Sequence, residues 1–280
     1  MKKIALTSLL SVFAVSGAYA ANTIDGNPLY MPKAGHFYSE TALSSHSETT
    51  KDWTLGEEFG YGITDKLAVS VKTGLAEMAE DPGDDEMFDA YGWEDLALKA
   101  TFRAFEKNGI VADVYGGFAA EGYLFAHSDA WDDSWWFDKG LVGYRWAAGV
   151  RGGYTTSLFT VAGHIAYEYF NSEAFNWGDY GLHEWKFGVD GQFVINDSLN
   201  LVAGVEYTGV SNDKVATYTD VKSPVEVEDA GVWTGMFGVN YNIDATKYVG
   251  AYINGRMAHN TGDWEMDDGF GFGVKFGIDF

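Results

Sequence analysis

Phe270-Gly271-Phe272-Gly273-Val274-Lys275-Phe276-Gly277-Ile278-Asp279-Phe280 decides the fold. Every second residue is large and apolar, and those between are glycine or charged. Successive side chains of a strand leave opposite faces of the backbone, so a period of two over this length describes a strand; a helix would scatter the same residues around its axis. One face of the strand is wholly apolar and the other small or ionic.

Alternating runs of the same kind fill most of the chain. Five short polar turns divide them: Thr64-Asp65-Lys66, Glu106-Lys107-Asn108, Thr155-Thr156-Ser157, Asn196-Asp197-Ser198 and Asp244-Ala245-Thr246. Six longer connections alternate with the turns, at about 47–51, 78–92, 126–139, 171–182, 211–229 and 260–268. Turns and loops alternate, which predicts an all-β, twelve-stranded, antiparallel up-and-down transmembrane barrel, with the even strand number such barrels need. Each strand with its connection has about 22 residues, against roughly 9–11 to cross a membrane.

The alternation also assigns faces. Rows such as Leu96, Leu98, Ala100, Phe102; Tyr144, Trp146, Ala148, Val150; Trp185, Phe187, Val189, Phe193; and Leu201, Ala203, Val205, Tyr207 carry no charge. The opposite rows hold eight cations, Lys72, Lys99, Arg103, Arg145, Arg151, Lys186, Arg256 and Lys275. Ten anions share those rows: Glu40, Glu58, Asp95, Asp113, Glu121, Glu168, Glu184, Asp190, Glu206 and Asp279. His164 joins them. A dry core cannot hold so many ions. The charged rows therefore face a wet lumen and the apolar rows face lipid, the inverse of a soluble barrel. Glu57 breaks the pattern, falling on the outward row of Leu55 and Phe59, which places it near the interface or marks a slip in register.

Composition narrows the classes further. Met1 to Ala20 has Lys2 and Lys3, an apolar run from Ile4 to Val15 and an Ala18-Tyr19-Ala20 end, the layout of a removed secretory signal peptide. Residues 21–32 then precede the barrel at 33–280 and are a candidate plug for its periplasmic mouth. Without the signal the chain has 16 basic and 41 acidic residues. That sign excludes nucleic acid as a partner. With no Cys, thiolate metal sites and thiol catalysis fall away. The lumen is nearly neutral, so the excess acid lies in connections, notably at 80–89 and 129–138. No spacing there matches a calcium loop, and neither metal nor cofactor is expected. The chain also has 35 Gly, with 10 Trp, 17 Tyr and 19 Phe. Girdles of aromatics at both membrane interfaces use such rings, and Trp131, Trp135, Trp136, Phe137, Trp177 and Trp264 fit the outer one.

The closing strand resembles the C-terminal strand of bacterial outer-membrane barrels, which implies that Phe280 is the signal read by the barrel assembly machinery. Tyr61-Gly62-Ile63-Thr64-Asp65-Lys66-Leu67-Ala68-Val69, followed by the run from Tyr91-Gly92-Trp93-Glu94-Asp95-Leu96 to Arg103, resembles the turn and strand of outer-membrane proteins grouped with the phenol meta-degradation pathway. About 45 residues carry that likeness. It implies a channel or transporter-like barrel among outer-membrane lipid and lipopolysaccharide. A twelve-stranded barrel is also similar in size to the acidic-sugar porins, but their basic tracks contrast with this mixed lumen.

Passive passage of small polar or charged solutes is thus the expected function, with the charged inward residues lining a narrow pore. The alternative is a closed barrel that acts as a structural or surface-interaction protein through its acidic, aromatic loops. Catalysis has a slender motive. His164 and Glu168 share a strand face but stand about 13 Å apart at roughly 3.3 Å per residue. His127 with Asp129, Asp132 and Asp133 offers a loop cluster for activating water; the reading is nevertheless of a protein that is not an enzyme.

Overall fold

A computed structural model describes residues 26–46, 52–77, 90–128, 135–136, 141–171, 181–211, 214–215, 225–226, 230–259 and 269–280. Among these, twelve long strands form one antiparallel sheet: β1 (Phe37–His46), β2 (Asp52–Thr64), β3 (Leu67–Glu77), β4 (Ala90–Lys107), β5 (Ile110–Ser128), β6 (Leu141–Thr155), β7 (Phe159–Asn171), β8 (Gly181–Asn196), β9 (Leu199–Ser211), β10 (Ala230–Asn242), β11 (Lys247–His259) and β12 (Gly269–Asp279). Each pairs with its sequence neighbours, and β12 closes on β1 from Tyr38↔Asp279 to His46↔Gly271. Closure leaves no free edge, so every strand finds its backbone partners within the wall, as a structure surrounded by hydrocarbon requires. Even the shortest strand, β1, has 10 residues, enough to cross.

The two faces separate as the alternation requires. Outward side chains are exposed, among them Trp146, Val150, Ile165, Val189 and Phe272. Inward ones such as Asp113, Glu184, Glu206 and Asn240 are almost wholly buried. An apolar exterior over an ionic interior reverses the order of a water-soluble fold and suits a lipid solvent.

Glycine serves this wall from inside. Tyr248 and Tyr252 on β11 lay their rings across Gly277 and Gly273 of β12, where an added Cβ would sit 2.1 and 2.2 Å from ring atoms. Tyr38 does the same over Gly60, and Tyr115 over Gly149. A missing side chain on one strand is thus filled by a ring from the next.

All five short turns lie at one end of the barrel. At the second, Asn108 and Gly109 both have positive φ, at 54° and 80°, the paired left-handed conformation of a tight hairpin. At the fifth, Asp244 accepts hydrogen bonds from the backbone N–H and hydroxyl of Thr246, each 2.8 Å, and these donors hold its carboxyl below the usual range.

Several boundaries differ from the sequence reading. β4 starts at Ala90, inside the connection expected at 78–92, and β5 runs on to Ser128. Trp135–Trp136 pairs with Phe125 and Ala126, so at those two residues the third loop continues the wall instead of crossing the lumen. Lys214–Val215 and Val225–Glu226 form a small ribbon within the fifth loop. Trp93 and Leu96 are both exposed because register shifts on either side of Glu94 break the simple alternation there. Glu57 keeps its register on the outward row. It lies mid-strand opposite Thr41 and accepts hydrogen bonds from the hydroxyls of Ser39, at 2.7 Å, and Thr41.

Candidate functional site

Register alone assembles the first cluster. Arg103 on β4 lies opposite Asp113 on β5, which lies opposite Arg151 on β6. Asp113, 1% exposed, receives Arg103 Nε at 2.9 Å on Oδ1 and Arg151 Nη2 at 2.7 Å on Oδ2. Two guanidinium groups around one carboxylate leave a surplus positive charge. Glu106 meets part of it, 3.2 Å from Arg103, and three backbone carbonyls meet the rest.

Those carbonyls belong to the segment before β1. Arg103 donates to Leu29 O at 2.6 Å, while Arg151 donates to Pro28 O at 3.0 Å and to Tyr30 O at 3.1 Å. Asn27 folds the segment by accepting the Leu29 and Tyr30 N–H groups on its side-chain and backbone oxygens. Leu29 is buried against Val111 of β5 and Ala162 of β7. At one extreme Gly26, at a φ of 89°, sits where an added Cβ would be 2.3 Å from Val202 and 2.5 Å from Asn240. At the other, Tyr30 donates to Asp279 at 3.1 Å, and Gly35 and Gly62 are joined by a backbone hydrogen bond of 2.8 Å. Residues 26–35 therefore strap the short-turn end from β9 and β10 to β2. Between the strap and the wall at Ser70, Lys99, Thr101 and Arg151 a cavity of 20 Å³ remains, room for about one water.

Two further clusters lie in the wall from β6 to β9. Glu168 and Glu184 are directly opposed, an unfavourable like-charge pair in isolation. Arg145 Nη1 spans both, at 3.3 and 2.7 Å, and Lys186 Nζ lies 2.9 Å from Glu168. His164 stands between Asp190, 3.2 Å from its Nδ1, and Glu206, 2.9 Å from its Nε2. It reaches Glu206, two strands away, across Gly188, where a Cβ would lie 2.6 Å from the imidazole. A doubly protonated ring can donate to both carboxylates. The His164–Glu168 pairing weighed from the sequence is thus replaced by partners that only the register brings near.

The remaining residues of the sequence reading take varied places. Lys275 is 3.7 Å from Glu40, which also accepts from the Tyr248 hydroxyl, and Lys99 lies over the Tyr115 ring at 4.9 Å. Lys72 and Arg256 are inward and half-buried. The side chains of Asp95, Glu121 and His127, and the whole of 129–134, lie outside the described residues. Phe280 exchanges backbone hydrogen bonds with Phe37 at 2.7 and 2.9 Å and stacks on its ring at 5.9 Å. At these levels most of the described inward ions lie within reach of an opposite charge.

Counting charges alone missed the neutral polar side chains, although they share the inward parity. Thr160, Gln192, Asn200, Thr234, Asn240 and Asn254 are all buried. Among the described residues, Asn240 and Asn254 have no hydrogen-bond partner on either amide atom. Leaving such a buried group unmet costs about 1–3 kcal/mol.

No protein-family model and no curated protein matches the chain by sequence. Its structure is similar to an outer-membrane channel from Pseudomonas putida F1, with a TM-score of 0.61 and 11% identity over 92% of this chain and 100% of that one. The fold is that of the outer-membrane β-barrels. The NanC porin, at a TM-score of 0.55 and 8% identity, covers 86% of this chain with 98% of its own. The translocator domain of an autotransporter from Neisseria meningitidis, at 0.51 and 11%, covers 100% of this chain with 99% of its own.

Proposed function

We propose that this protein is an outer-membrane channel for small polar solutes, closed at its short-turn mouth by the strap at 26–35. The observation that carries the reading is the way the strap is held. Backbone carbonyls, which any sequence offers, meet Arg103 and Arg151, and Leu29 is the side chain seated against Val111 and Ala162. Such a contact can be released as a unit while Asp113 keeps both guanidinium groups in place. The names of two similar structures, a channel and a porin, agree with this reading. Export by a removed signal at 1–20, delivery through the assembly machinery by way of Phe280 and residence among lipopolysaccharide belong to the same proposal.

Planar-bilayer recording tests it. The full chain should give brief or small openings, and deletion of 26–32 should give a larger and steadier conductance. Absence of current and solute flux from both proteins would sink the channel reading. That result would favour the closed barrel that acts through its acidic loops, a reading supported by the extent of luminal ion pairing.

A further inference from the structure

Asn254 lies mid-strand on β11, opposite Met236, and points inward because Ile253 beside it is exposed on the outer face. Asn240 lies four residues from Met236 along β10, about 13 Å toward the short-turn end at roughly 3.3 Å per residue. Both are at least nine-tenths buried, and neither amide nitrogen nor amide oxygen has a hydrogen-bond partner among the described residues. Tyr252 stands between their levels, its ring folded onto Gly273. Asn240 abuts Gly26, so the strap covers it.

Buried amides with neither atom met are rare in folded proteins, and water, an ion or another polar ligand commonly meets such groups. An amide places a donor and an acceptor side by side. The amides carry no net charge, so an ionic solute would bring its charge to a dry site without a counter-charge, a cost that a neutral solute avoids. A solute with hydroxyl or amide groups satisfies both donor and acceptor. The clusters around Asp113, Glu168 and His164 point the same way, since their charged groups already have opposite partners within the wall.

We infer that Asn254 and Asn240 are successive subsites for neutral solutes rich in hydroxyl or amide groups. The solute meets Asn254 first, and Asn240 becomes available when the strap leaves. This inference rests on the channel reading and adds a substrate class to it.

Flux into proteoliposomes tests it, with xylose, xylonate and protonated glucosamine as probes, through both the full chain and the barrel lacking 26–32. Xylose should cross several-fold faster than either ion. Asn254→Leu should cut xylose flux by about fivefold, roughly the effect of losing one net hydrogen bond. Asn254→Asp, nearly the same in shape, should reverse the order in favour of glucosamine, and serves if the leucine variant does not fold. Equal or faster passage of xylonate, or wild-type xylose flux in both variants, would overturn the subsites and leave the channel standing. Failure of every probe to cross even the strapless barrel would overturn both.

Discussion

From β4 to β9 the interior is built of ions that answer one another, whereas from β10 round to β2 tyrosine rings, amides and glycines share the work. Asp113, Glu168, Glu184 and Glu206 are each held by cationic or imidazole groups one or two strands away. Tyr248, Tyr252 and Tyr38 instead fill the space above glycines. The first arrangement is costly to break, because removing one partner strands a buried charge. The second is limited by shape, since a single added methyl meets a ring. One barrel thus has a wall fixed by charge and a wall fixed by fit, and the strap touches both, at Arg103 and Arg151 on one side and Asn240 and Asp279 on the other.

Asp113→Ala should expose the contrast most strongly. It leaves two guanidinium groups without their buried carboxylate, and urea titration in lipid vesicles should show a loss of about 3–5 kcal/mol. Glu106→Ala, at the exposed arm of the same cluster, should cost less than about 1 kcal/mol. Equal losses would mean that burial does not govern the charged wall. Leu29→Ala should come next, with about 2–3 kcal/mol lost from strap seating. Proteolysis between 26 and 35 should quicken while the strands remain protected, and unchanged cleavage would show that the carbonyl contacts alone hold the strap.

Gly273→Ala tests the fitted wall. Overpacking against Tyr252 should cost about 1–3 kcal/mol, and Tyr252→Leu in the same chain should restore part of it. No rescue would place the strain elsewhere than in the ring contact. Glu57→Gln should have the smallest effect. It removes a charge from the lipid face and should stabilise the barrel by less than about 1 kcal/mol, read from the same titration. A clear loss would show that the Ser39 and Thr41 hydroxyls need the carboxylate.

Strand number and face were legible because lipid outside and ions inside make the period of two unusually clean, as at Phe270 to Phe280. Strand ends were less so. The irregularity between Trp93 and Leu96 and the wall segment at Trp135–Trp136 depend on backbone pairing that no residue pattern announces. The inward charges could be read, but not their partners, because His164 finds Glu206 only through the absence of a side chain at Gly188, two strands of register away. The strap is harder still to see. Its contacts with Arg103 and Arg151 use peptide carbonyls, which are identical at every residue, so only Leu29 and the φ of Gly26 leave any mark in sequence.

The anchoring of Tyr30 has a consequence for the order of assembly. Its hydroxyl meets Asp279 on β12, while the backbone a few residues later enters β1, so the strap bridges the two strands whose union closes the cylinder. A sheet that has not yet joined β1 to β12 offers Tyr30 no Asp279, and Phe37 no Phe280. These seam contacts can therefore form only once the last pair of strands has zipped, so in a half-inserted sheet the strap would lack its hold on β12.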